Sequence, residues 1–151
     1  MTGKKTTESA VRVLIVEDLP SDARLARREI SKEIDNAVYE CVETEAEFIR
    51  AIEEFSPDII VSDYQMPSFD GMSALKIARE ITPLTPFIVH TGSQNEDTAV
   101  ACMKAGAVDY VLKERIKRLG PAVKQALENN REKLEKIRIQ RELAESVLKT
   151  I

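Results

Sequence analysis

The stretch Asp58-Ile59-Ile60-Val61-Ser62-Asp63, followed at once by Tyr64-Gln65-Met66-Pro67-Ser68-Phe69-Asp70-Gly71, decides the fold. A short apolar run without polar alternation is the pattern of a strand buried on both faces, as in the middle of a parallel sheet. It closes on a carboxylate, and a loop marked by proline and glycine opens beside it. In an open α/β sheet that position is the carboxyl edge, where ligands bind. Three other segments end in the same way. Val11-Arg12-Val13-Leu14-Ile15-Val16 runs into Glu17-Asp18, Phe87-Ile88-Val89-His90 into Thr91-Gly92, and Ala107-Val108-Asp109-Tyr110-Val111-Leu112 into Lys113. Three carboxylates, a hydroxyl and an ammonium thus converge on one edge of one sheet.

The elements between these strands alternate with them. Pro20-Ser21-Asp22 opens a helix that runs to about Ser31–Glu33, and Ala37 to Val42 forms a second strand. Thr44-Glu45-Ala46-Glu47 reads as a capping box, and Phe48, Ile49, Ile52 and Phe55 give the helix behind it an apolar face. Ile59 to Ser62 is the third strand, and Ser73 to Ile81 a helix stopped before Pro83. After the strand Phe87 to His90, a helix from Asp97 to Lys104 ends at Gly106. The strand Ala107 to Leu112 follows, and beyond Gly120-Pro121 a helical pattern runs to the end. Five strands alternating with five helices imply a doubly wound α/β parallel sheet with right-handed crossovers.

Length and composition agree. At 151 residues, the chain is one domain with room for an appendage, and 43% apolar with 32% charged residues suits a globular protein. A net charge of −4 provides no basic footprint for direct nucleic-acid binding. No apolar run approaches the roughly 18 residues of a membrane span, and residues 1–9 lack the apolar core of a secretory signal. We expect a disordered tail over 1–9, a cytoplasmic location, and buried, reduced thiols at Cys41 and Cys102, which lack metal-ligand spacing.

Glu17, Asp18 and Asp63 gathered at one edge would repel one another unless a cation joins them or their pKa values rise. Mg²⁺ resolves the conflict, because it takes one or two carboxylates plus phosphate oxygens. The backbone carbonyl of Gln65, two residues past Asp63, can complete its shell. A carboxylate is also a nucleophile toward phosphorus, Lys113 adds positive charge, and Thr91 offers a donor hydroxyl. Tyr110, near a strand end, reads by itself as a half-buried packing residue before it reads as part of the site. His90, the sole histidine, alternates away from Thr91 along its strand and reads as structural.

This set of residues resembles the receiver domain of two-component response regulators: Glu17-Asp18, Asp63 with Met66-Pro67 and Asp70-Gly71, Thr91-Gly92, and Tyr110 three before Lys113. The likeness covers about Val11 to Ala126. It implies a flavodoxin-like sheet in the order 2-1-3-4-5, with Asp63 as phosphoacceptor from a histidine kinase or histidine phosphotransfer protein. It implies that Glu17, Asp18 and Asp63 hold Mg²⁺, with Asp18 the more direct ligand. Thr91 matches the switch hydroxyl, Tyr110 the switch aromatic, and Lys113 the lysine that pairs with the phosphoryl group. It also implies that Gln65 and Ser93 tune the lifetime of the phosphorylated state. Glu114 stands where many receivers carry a proline, and we expect a trans Lys113–Glu114 peptide. Lys113-Glu114-Arg115-Ile116, then Pro121 and a charged helix, is similar to receivers upstream of sensory or histidine-kinase modules.

The domain is expected to span residues 10–126, with a helical extension over 127–151. Val123, Leu127, Asn130, Leu134, Ile137, Arg141, Ala144, Leu148 and Ile151 form a heptad seam, and Ile139, Leu143 and Val147 a second stripe. The seam predicts a coiled-coil homodimer. Three other readings compete: a hydrolase with Asp63 as nucleophile, a non-catalytic dimerisation or interaction module, and an N-terminal fragment of a hybrid sensor histidine kinase. The first is weakened because Gln65 stands where such enzymes often carry a second acid. We expect no enzymatic activity beyond Mg²⁺-dependent self-phosphorylation and slow autodephosphorylation.

Overall fold

The computed structural model describes residues 10–92 and 95–150. Five parallel strands, β1 (Val11–Val16), β2 (Ala37–Val42), β3 (Ile59–Ser62), β4 (Phe87–Thr91) and β5 (Asp109–Leu112), form one sheet in the order β2-β1-β3-β4-β5. Between them lie α1 (Pro20–Ser31), α2 (Glu45–Glu54), α3 (Gly71–Ile81) and α4 (Glu96–Lys104). A 3-10 helix, Lys113–Arg118, leads from β5 into the long α5 (Leu119–Thr150). This is the flavodoxin-like arrangement expected. The expected tail over 1–9, Ser93 and the end of the seam at Ile151 lie outside the described residues.

Side-chain alternation along the strands builds two cores, one on each face. Leu14, Val16, Ile60, Phe87 and Val89 point to the face covered by α2, α3 and α4, where they meet Phe48, Leu75 and Cys102. Val13, Ile15, Ile59, Val61, Ile88 and Val111 point to the face covered by α1 and α5, where they meet Ile30, Leu119 and Val123. All four residues of β3 are buried, as its unbroken apolar run requires.

Local chemistry sets the helix ends. Thr44 and Glu47 form the capping box, with Glu47 N–H donating to Thr44 Oγ1 at 3.2 Å and Thr44 N–H to Glu47 Oε1 at 3.3 Å. Asp70 caps α3, accepting from Ser73 N–H at 2.9 Å, so this helix starts at Gly71, two residues earlier than its apolar pattern suggests. α4 ends at Gly106, whose φ of +115° few other residues adopt. α5 starts before Gly120-Pro121, since a proline in the first turn gives up an N–H that has no intrahelical partner.

One expectation is corrected. Cys41 is exposed, because it lies on edge strand β2, whereas Cys102 is fully buried. The boundary after Ala126 falls inside the continuous helix α5, and Leu127 still packs against the core of the α1/α5 face. Correspondingly, Val123 at the head of the seam is wholly buried in its own domain.

Candidate phosphoacceptor site

Strand register assembles the site. Val16 pairs with both Val42 and Ser62, so the residues after β1 and β3 emerge side by side at the carboxyl edge. Glu17 N–H donates to Val42 O at 3.0 Å and Asp63 N–H to Val16 O at 2.9 Å, extending the ladder one step and fixing both acids. Thr91 pairs with Leu112, which brings Lys113 out at the same edge. One carboxylate oxygen each from Glu17, Asp18 and Asp63 lies within 4.8 Å of the others. The strand ends therefore bring together the three acids singled out in the sequence.

Lys113 reaches across this edge. Its Nζ donates to Glu17 Oε1 at 2.7 Å, to Asp63 Oδ2 at 2.9 Å and to Asp22 Oδ2 at 2.7 Å. Burial opposes the ammonium's charge, but the hydrogen bonds to Asp22, Glu17 and Asp63 outweigh it and hold the lysine above its ordinary pKa. Glu17 shows the opposite balance. Burial pushes its carboxyl up, the Lys113 hydrogen bond pulls it down, and the Asp63 charge adds to the rise. The other Asp63 oxygen, Oδ1, accepts from the Gln65 backbone N–H at 3.3 Å.

Asp22 is the site residue that sequence reasoning missed. An acid in the first turn of a helix is already explained by its attraction to the helix N-terminus. Only the crossing of α1 over the sheet shows that it faces Lys113.

The loop 64–71 is closed by Gly71 N–H donating to Tyr64 O at 2.8 Å. A Cβ on Gly71 would stand 2.5 Å from Asp63 O and 2.6 Å from Tyr64 Cα, so only glycine lets α3 start this close to the site. Thr91 is buried at the end of β4, and Tyr110 on β5 is half-buried against the core of the α2–α4 face. Arg118 folds back on β5 and brackets the segment that holds Lys113, donating to Asp109 Oδ1 at 2.8 Å and to the Tyr110 carbonyl at 2.9 Å. No cis peptide bond occurs among the described residues, so Lys113–Glu114 is trans. His90 is buried on the α1/α5 face. Burial, then the Lys113 charge, push its imidazole down to about 4.

The family model for the response regulator receiver domain matches residues 13–124. This chain belongs to that family. The receiver is 34% identical over 101 residues to the DNA-binding transcriptional regulator NtrC of Proteus hauseri; the match spans 67% of this chain and 21% of that protein. The signal receiver domain of a Luxo repressor protein from Vibrio parahaemolyticus has the same fold, with a TM-score of 0.74 at 30% identity over 85% of this chain and 96% of that one. The Mn²⁺-bound form of response regulator Rcp1 shares the fold at a TM-score of 0.64 and 21% identity, covering 74% of this chain and 90% of that one. The chain thus spans about a fifth of the NtrC relative. It is homologous to phosphoacceptor domains of two-component systems, which receive phosphoryl groups from histidine kinases and bind a divalent metal.

Proposed function

We propose that Asp63 accepts the phosphoryl group in a two-component phosphorelay, with a histidine kinase or a histidine phosphotransfer protein as donor. The observation that carries this reading is the Asp63 carboxylate held at 2.9 Å by Lys113 and clustered with the Glu17 and Asp18 carboxylates. An Asp63 oxygen attacks phosphorus as the phosphorus–nitrogen bond to the donor imidazole breaks. The bonding pair returns to the imidazole nitrogen, and an acyl phosphate remains on Asp63.

The all-oxygen donor set of Glu17, Asp18 and Asp63 fits a hard divalent cation, and we assign Mg²⁺ to it, with the Gln65 carbonyl as a further ligand. When bound, Mg²⁺ supplies the positive charge that offsets clustered carboxylate and phosphoryl oxygens. Lys113 pairs with the phosphoryl group, and Thr91 and Tyr110 respond to it as switch hydroxyl and switch aromatic. The Gln65 side chain is exposed and carries no acid, so hydrolysis of the acyl phosphate is slow and the domain is not a phosphatase.

We assign the receiver to the cytoplasm; no helix among the described residues is long and apolar enough to cross a membrane. The exposed part of α5 serves as a homodimer stem. The seam residues Leu134 and Leu148 are 40% and 72% exposed along it, and burial against a second copy gives them cover. In a longer parent protein, a sensor kinase included, that stem passes the signal on as a change in helix packing.

The test is transfer from a phosphotransfer protein carrying labelled phosphohistidine. Mg²⁺-dependent movement of label to this chain is expected. No transfer from phosphohistidine donors, with the fold intact, would overturn the reading.

A further inference from the structure

The ammonium of Lys113 has three N–H donors, and three carboxylates account for them: Glu17 at 2.7 Å, Asp22 at 2.7 Å and Asp63 at 2.9 Å. Phosphorylation frees the donor that Asp63 holds, but the phosphoryl group brings three acceptor oxygens, and a second donor for them comes only from Glu17 or Asp22. Glu17 and Asp22 differ in how readily they let go. The side chain of Glu17 is 4% exposed, so losing the ammonium would strand its charge away from water. Asp22 is 28% exposed, and water replaces the lost hydrogen bond. Asp22 also lies outside the trio of acids whose oxygens converge for a metal.

We propose that Asp22 is a positioning residue that holds Lys113 in the resting state and competes with the phosphoryl group for it. The inference rests on the reading that Asp63 takes the phosphoryl group. Phosphorylation then exchanges the Lys113–Asp22 pair for a Lys113–phosphoryl pair, and Asp22 turns to solvent at the start of α1. Asp22 thereby lowers the stability of the phosphorylated state. It also draws the ammonium partly off Glu17 and Asp63, which leaves those carboxylates more available to a metal.

Two opposite effects of Asp22→Asn follow. Mg²⁺ alone should bind about twofold more weakly, because the ammonium leans harder on Glu17 and Asp63. Beryllofluoride, a phosphoryl mimic, should bind at saturating Mg²⁺ roughly twofold to fivefold more tightly, the scale of a partly exposed ion pair. Asp22→Ser, which also lacks the charge, should do the same and guards against a folding defect peculiar to the amide. The gain must pass through the lysine, so in a Lys113→Met background Asp22→Asn should leave beryllofluoride affinity unchanged. The experiment is calorimetric titration of Mg²⁺, then of beryllofluoride, into the full chain and these variants, with thermal melts as a control. Unchanged or weaker beryllofluoride binding in both Asp22 variants overturns the inference, as does a gain that persists in Lys113→Met. Wild-type protein that fails to bind beryllofluoride with Mg²⁺ would instead sink the Asp63 reading, and this inference with it.

Discussion

At the scale of the residue, position converts ordinary side chains into a site. Glu17, Asp18 and Asp63 repel one another, and that conflict is what a divalent cation relieves. Asp18→Asn should weaken Mg²⁺ binding by about tenfold or more while leaving the fold intact or more stable; calorimetry and a thermal melt read both, and unchanged affinity would count against the site as drawn. His90 gives a pH signature. Its imidazole is pushed from 6.5 to about 4 by burial and by Lys113, against the pull of Asp63 and Asp22. The unfolded chain therefore binds more protons between those values, so stability falls as pH drops from about 6.5 to about 4 and loses nothing further to this group below that. The loss is about 3 kcal/mol at roughly 1.4 kcal/mol per unit. Denaturant titrations across this range should show it in the wild type and not in His90→Leu. Most of the site was legible in the sequence because strand ends in a parallel sheet share one edge. Asp22 was not, since its partner stands 91 residues away and no local pattern points to it.

At the scale of the element, the loops at the carboxyl edge carry the precision. Gly71 lets α3 begin against the backbone of Asp63 and Tyr64. Gly71→Ala should cost roughly 1–3 kcal/mol and slow phosphorylation as well, because relieving the clash moves the backbone that holds Asp63; a variant with wild-type stability and labelling rate would contradict this. The strands were readable from their apolar runs, and β1, β2 and β3 coincide with the expected bounds. Helix starts were less so. Asp70 caps α3 before its apolar period begins, and Gly120-Pro121 looks like a break but lies within the first turn of α5. Cys41 shows a third limit, since alternation along a strand does not say whether the strand sits at the sheet edge.

At the scale of the whole molecule, α5 joins two environments. Its first turns complete the core with Leu119, Val123 and Ala126, and the remainder leaves the domain with apolar residues exposed. The heptad seam is therefore free to pair only from about Leu134 onward. We expect a moderate-affinity dimer, and a chain stopped after Glu132, which keeps the core contacts of Leu127, should be folded and monomeric. Sedimentation of both lengths over a range of concentrations decides this; a monomeric full chain at high micromolar concentration would leave the helix without that role. That Asp63 is the phosphoacceptor is read most directly by incubating the chain with a small-molecule phosphodonor and mapping the product by mass spectrometry. One Mg²⁺-dependent phosphoryl group is expected, on Asp63 and absent from Asp63→Asn. Undiminished phosphorylation of a folded Asp63→Asn chain would contradict it.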